Sequence, residues 1–91
     1  LYYSAISNLY FQESLFESSL NFAEKAIQID LTDSRALKLA IRSAFKLDQF
    51  PKSEYYLKIA SRRKIRDSDI LQIAKDLAVW RKTNPEVPVY S

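Results

Sequence analysis

The sequence predicts an all-α fold of stacked antiparallel helical hairpins, and three observations predict it. Sliding the 91 residues along themselves by 34 pairs Phe16 with Phe50, Ser19 with Ser53, Phe22 with Tyr56, Ala26 with Ala60 and Phe11 with Phe45. Self-similarity of that period over helical patterns marks a helical-hairpin repeat. Apolar residues recur at three- and four-residue steps in every long segment, the spacing of one helix face. Glycine is absent, and the tight turns of a hairpin-rich β fold call for the positive φ that glycine adopts most easily.

Each element can be justified in chain order. Residues 1–13 place Tyr3, Ile6, Leu9 and Tyr10 on one side of a first helix, and Gln12, Glu13 and Ser14 break it. A second helix runs over about 15–29, with Phe16, Leu20, Ala23, Ala26 and Ile27 on one stripe. Asp30 to Asp33 form a polar turn, and Asp33 is a good N-cap for the next helix. That third helix, 34–47, sets Ala36, Leu37, Ala40, Ile41 and Ala44 against Arg35, Lys38, Arg42 and Lys46 on its other side. Pro51 suits the first turn of a fourth helix over 51–63, whose apolar set is Tyr55, Tyr56, Ile59 and Ala60. A fifth helix opens at Asp67 or Ser68 and carries Ile70, Leu71, Ile73, Ala74, Leu77, Ala78 and Trp80 to about residue 82. Asn84 and Pro85 stop it, and Pro88 makes 84–91 an extended tail. The expected division is hairpins at about 1–30 and 34–64, a capping helix at 68–82, and the tail.

Composition excludes several function classes. Without cysteine there is no disulfide framework or thiolate zinc site, and without histidine the commonest metal ligand and general base are missing. Without glycine there is no glycine-rich phosphate loop or dinucleotide fingerprint. Ser14, Ser18 and Ser19 have no histidine to activate them, and Asp67 and Asp69 suit a helix start for capping reasons. The expectation is a protein that is not an enzyme and carries no cofactor or metal. No run of eighteen apolar residues occurs and nothing at the start resembles a signal peptide, so the expected location is cytoplasmic. The chain opens at Leu1 inside an apolar pattern, which reads as a piece of a longer protein.

Charge is unevenly laid out. Residues 1–34 hold five acids and one base (−4), 35–66 ten bases and two acids (+8), and 67–91 three bases and four acids (−1). A negatively charged partner belongs against the middle third.

With these residues in place the chain resembles the tetratricopeptide repeat family, whose pattern is W-x2-L-G-x2-Y, then A-x3-F, then P, over 34 residues. The pattern's places fall on Tyr3, Ile6, Ser7 and Tyr10, then Ser19 and Ala23, then Leu31; in the next unit they fall on Leu37, Ala40, Ile41 and Ala44, then Ser53 and Leu57, then Ile65. The string AEKAIQID is close to the family's usual second helix. Tryptophan, glycine and proline are absent from their places, and Ile41 stands where a small residue normally lets two helices touch. A further step carries Leu37 to Leu71, Ala40 to Ala74 and Ala44 to Ala78, so the fifth helix keeps the register and acts as a cap. The resemblance covers 1–83 and implies a right-handed superhelical stack with a concave groove, in the manner of a binding scaffold.

In that family the first helix of each hairpin faces the groove. The resemblance therefore implies partner contacts from Arg35, Lys38, Leu39, Arg42 and Lys46, with Asn8 and Gln12 on the preceding first helix supplying hydrogen bonds to a peptide backbone. Co-chaperone members clamp a terminal carboxylate with lysine, asparagine and arginine. Arg35 falls on one such basic position, but the asparagine and arginine places hold Ala5 and Leu39. The expected function is a protein–protein interaction scaffold or adaptor that captures an acidic peptide segment of another protein. The alternatives are nucleic-acid binding by the basic 35–66 surface, which includes Arg62, Arg63, Lys64 and Arg66, and self-association through the open end of the array. A solvated charged face explains the stripe without any partner, and complementing a helix macrodipole explains the cluster at 62–66.

Overall fold

The computed structural model describes residues 2–91 and is all-helical. Its elements are α1 (Tyr2–Gln12), α2 (Phe16–Ile29), α3 (Ser34–Lys46), α4 (Phe50–Arg62) and α5 (Ser68–Thr83), with no strand among the described residues. Each lies within a residue or two of its expected span; Leu1 lies outside the described residues. Short turns fold α1 back on α2 and α3 back on α4. In addition α2 packs along α3, α1 touches α3, and α5 touches both α3 and α4. The result is two helical hairpins in register plus a fifth helix.

The repeat is visible atom by atom. α1 ends when Ser14 takes φ 60°, Ser14 N donates to Phe11 O (3.0 Å) and Leu15 N to Tyr10 O (2.9 Å). Thirty-four residues on, α3 ends when Asp48 takes φ 59°, with Asp48 N on Phe45 O (3.1 Å) and Gln49 N on Ala44 O (2.9 Å). Both are Schellman caps, which pair the orphan carbonyls of a helix end. A third closes α4, where Lys64 at φ 60° donates to Ser61 O and Ile65 N to Ala60 O. A chain without glycine builds all three left-handed positions from residues with a Cβ. The aromatic pairs repeat too, Phe11–Phe16 at 5.1 Å and Phe45–Phe50 at 5.4 Å. Over them lie Lys46 on Phe16 and Trp80 on Phe50, again 34 residues apart.

The α2–α3 turn differs. Asp30 is extended and its carboxylate accepts from Thr32 N (2.9 Å), and Asp33 caps α3 by accepting from Ala36 N at 3.0 Å.

Small residues set the helix spacing. Ala23, Ala36, Ala40, Ala44 and Ala60 are fully buried. Leu37 and Ile41 fill the space around them, each worth ~1.5–3 kcal/mol of burial. Serines occupy the closest crossings. Ser7 Oγ donates to Ser19 O (2.7 Å), Ser19 Oγ donates to Ser7 O (2.9 Å), and Ser43 Oγ bonds Ser19 Oγ (3.0 Å). One repeat later Ser53 Oγ donates to Ile41 O at 2.9 Å. Ile41 is thus accommodated where the pattern wants a small residue, because Ser53 across from it is the small partner.

This geometry corrects two stripes. On α1 the buried residues are Ser4 and Ser7, while Leu9 is 62% exposed, because α1 docks along its serines. On α5 only Ile70 and Leu77 are buried, and Leu71 stands at the surface.

The left-handed caps give a direct prediction. A residue with a Cβ costs roughly 1–2 kcal/mol there, part of which glycine gives back through its unfolded-state entropy. Asp48→Gly and Lys64→Gly should each raise stability by about 0.5–1 kcal/mol in urea denaturation, whereas alanine at either site should not.

Candidate functional site

α3 presents Arg35, Lys38, Arg42 and Lys46 in one row, as its helical spacing requires. Two of the four charges are already matched within the chain. Lys38 Nζ lies 2.7 Å from Asp67 Oδ2 and Arg42 Nε 3.2 Å from Asp69 Oδ2. The Arg42 guanidinium also lies over the Phe11 ring, 4.3 Å from its centroid. Asp67 occupies the N-cap position of α5 without capping through its side chain, because the Lys38 ammonium holds its carboxylate. Neither pair is legible from sequence spacing, since the partners are 29 and 27 residues apart and meet only after α4 has returned the chain.

The remaining expected residues divide clearly. Arg35 and Lys46 are exposed and have no carboxylate partner among the described residues. Asn8 is half-buried and Gln12 exposed, one helical turn apart on α1, and neither side-chain amide is bonded among the described residues. Leu39 does not belong with them. It is 3% exposed and part of the core cluster, because it falls on the inward side of α3 among the alanines, so it offers no surface to a partner.

The second basic group gathers at one end of the stack. Arg62, Arg63, Lys64 and Arg66 are all exposed around the α4–α5 turn, and the Lys38–Asp67 contact brings that turn to the start of α3, where Arg35 sits. Hydrogen bonds from Thr32, reinforced by the field of Arg63, hold the Asp30 carboxyl below the usual carboxylate range.

Most tyrosines are committed to packing. Tyr3 and Tyr10 stack on Phe22 (6.0 and 5.6 Å), and Tyr56 is buried with its hydroxyl donating to Glu24 Oε2 at 2.6 Å. Lys52 Nζ reaches the same carboxylate at 3.2 Å. Burial, and then the bond to Glu24, pushes the Tyr56 hydroxyl far above the ordinary tyrosine pKa.

A hollow lies away from the α3 row. About 570 Å³ opens between α4, α5 and the tail. Arg81 holds this region together. It forks onto Glu54 (2.6 and 3.1 Å), donates to Val87 O (2.6 Å) and Asn84 O (3.1 Å), and lies 4.7 Å over the Trp80 ring. The tail therefore turns back along α4, and Tyr90 meets Tyr55 edge-on at 5.1 Å. The sequence showed the proline-rich tail as extended but not this return, which depends on one guanidinium reaching two carbonyls.

No three His, Cys, Asp or Glu residues that could hold a metal ion cluster among the described residues. No helix among them is long and apolar enough to cross a membrane. Comparison with protein-family models, curated proteins and solved structures found no match.

Two outcomes test this picture. Lys38→Glu/Arg42→Glu should lower stability by about 1–2 kcal/mol, since each glutamate then faces an aspartate and exposed pairs are worth up to ~1 kcal/mol each. Adding Asp67→Lys/Asp69→Lys should recover most of the loss in a thermal melt. For Tyr56, a raised folded pKa means stability is intact below the unfolded tyrosine pKa, near ~10, and falls as pH climbs beyond it. An alkaline absorbance titration should show one tyrosine ionising only as the chain unfolds. Tyr56→Phe should remove that late step and cost about 1 kcal/mol for the lost hydrogen bond.

Proposed function

We propose that the chain is a helical-repeat scaffold of tetratricopeptide-like design that holds an acidic peptide segment of another protein against the α1–α3 face. What supports the reading is the pre-positioning of the α3 row. Arg42 is fixed between the Phe11 ring and Asp69, and Lys46 leans on Phe16 with Nζ 5.9 Å from the ring centroid. Arg35 and Lys46 then leave an unneutralised charge at either end of the row, with the Asn8 and Gln12 amides alongside to meet a peptide backbone. Side chains ordered before binding lose less entropy on binding, which is how preorganisation adds affinity. Such a peptide would be read by charge along the row and by main-chain hydrogen bonds beside it.

A second reading is favoured by a separate observation. Arg35, Arg62, Arg63, Lys64 and Arg66 are exposed at one end without an ion pair among the described residues, a surface suited to phosphates. It ranks lower because Tyr56 is buried, Tyr3 and Tyr10 are stacked on Phe22, and no exposed aromatic interleaves the cluster for base stacking.

The test is selection from an acidic peptide library at moderate salt. Arg35→Glu/Lys46→Glu is the informative variant, because it leaves the Asp67 and Asp69 pairs intact. Selected peptides should bind it at least about tenfold more weakly than wild type, roughly 1.4 kcal/mol. Equal binding to both proteins sinks the peptide reading. Affinity for a DNA or RNA oligonucleotide that falls steeply with salt and ignores peptide competitor would favour the phosphate reading.

A further inference from the structure

The 34-residue register makes α5 the third member of the series α1, α3, α5, and it leaves the inner face of α5 uncovered. On α3, Leu37, Ala40, Ile41 and Ala44 are all 0% exposed, since α4 lies across them with Ser53 bonded to Ile41 O and Phe50 against Phe45. The same positions on α5 are Leu71, Ala74, Lys75 and Ala78, and Leu71, Lys75 and Ala78 are exposed. The flank of the preceding helix repeats the contrast. Glu24 on α2 receives both Tyr56 and Lys52 of α4, whereas its counterpart Lys58 on α4 is exposed and unpaired among the described residues.

These two open walls bound one trough. The 570 Å³ hollow, with Tyr55 and Lys58 on one side and Ala74 and Ala78 on the other, shares Leu57 and Ala74 with a second hollow of about 150 Å³ that continues to Arg66 and Ile70. α5 packs on α4 much less extensively than α3 packs on α2. Leu57 stands where Ala23 stands in the first repeat, and Leu77 where Ser43 stands, so larger side chains occupy these places in the second repeat, and both line the hollow. The segment in register with α4 begins at Asn84 and its Pro85 matches Pro51, but Pro88 falls past the position where a helix start tolerates proline, and residues 84–91 are not helical. Val89 and Tyr90 of the tail line the trough without filling it and remain 66% and 41% exposed.

We infer that this trough is a docking site for an acidic amphipathic helix of another protein, seated on α5 and reaching α4 as α4 is seated on α3 and reaches Glu24 of α2 through Tyr56 and Lys52. A helix fits because Ala74 and Ala78 allow the close backbone approach that Ala40 and Ala44 allow α4. An acidic one fits because Lys58, which replaces Glu24, lines the trough and Arg66 closes its far end. Glu54, the acid on the wall, is already forked to Arg81. The surface is separate from the α1–α3 face and the inference does not rest on it. Helix-in-groove recognition of this kind is read through anchors on one helical stripe.

The probe is the α4 segment itself, residues 50–62, as a stapled fluorescent peptide carrying Lys52→Glu, with the unsubstituted peptide as comparator. By register its position 52 faces Lys58. The Lys52→Glu peptide should bind the full chain about tenfold more tightly than the comparator, a difference of roughly 1.4 kcal/mol. The protein variant Lys58→Glu should reverse that preference. Ala78→Trp, at an exposed position, should abolish binding without lowering the melting temperature, and Arg35→Glu/Lys46→Glu should change nothing. Amide shift changes should appear at Leu71, Ala74 and Ala78. No binding, equal binding of the two peptides, or binding that survives Ala78→Trp overturns the proposal. Shifts confined to Leu37 and Ala40 mean the peptide merely replaces α4 and overturn it as well. So does self-association of the protein alone, seen by sedimentation and broken by Ala78→Trp, which would make a second copy the occupant.

Discussion

Ser19 sits at the point where three helices meet, and the spacing of the molecule depends on it. Its hydroxyl donates to the Ser7 carbonyl and bonds Ser43, while its own carbonyl accepts from Ser7. α1, α2 and α3 are thereby tied by a buried polar knot in which every hydroxyl is satisfied. A larger residue would force the helices apart, and an apolar one would leave buried partners unpaired at about 1–3 kcal/mol each. The surrounding alanines need this spacing, because a methyl group contributes to a core only where backbones come close.

Ion pairs come next in the hierarchy and perform a different task. Lys38–Asp67 and Arg42–Asp69 are exposed and individually weak, yet they fix where the start of α5 lies against α3. Arg81 does the same for the other end of α5, joining it to α4 through Glu54 and to the tail through two carbonyls. α5 is thus held by the buried Ile70 and Leu77 and oriented at both ends by charge.

Much of the fold was legible in the chain. The 34-residue pairs Phe11/Phe45 and Phe16/Phe50 recur as matched ring contacts, and Asp33 caps α3 as its place before a helical pattern implied. These features are local or periodic, so sequence spacing carries them. Leu39 was harder to place. It neighbours Lys38 in sequence, but a step of one residue is about a 100° turn of the helix, and that turn carries it from the surface row into the core.

By itself the sequence determined five helices, their hairpin order and the single face on which Arg35, Lys38, Arg42 and Lys46 stand, since helical periodicity and turn chemistry act over a few residues. Tertiary structure alone decided which of those charges stay free, because Asp67 and Asp69 reach Lys38 and Arg42 across a helix and a turn. It likewise decided that α5 stands off from α4, where Leu57 and Leu77 replace Ala23 and Ser43. Each leucine suits an amphipathic helix by itself, and volume across an interface is not written in either helix alone.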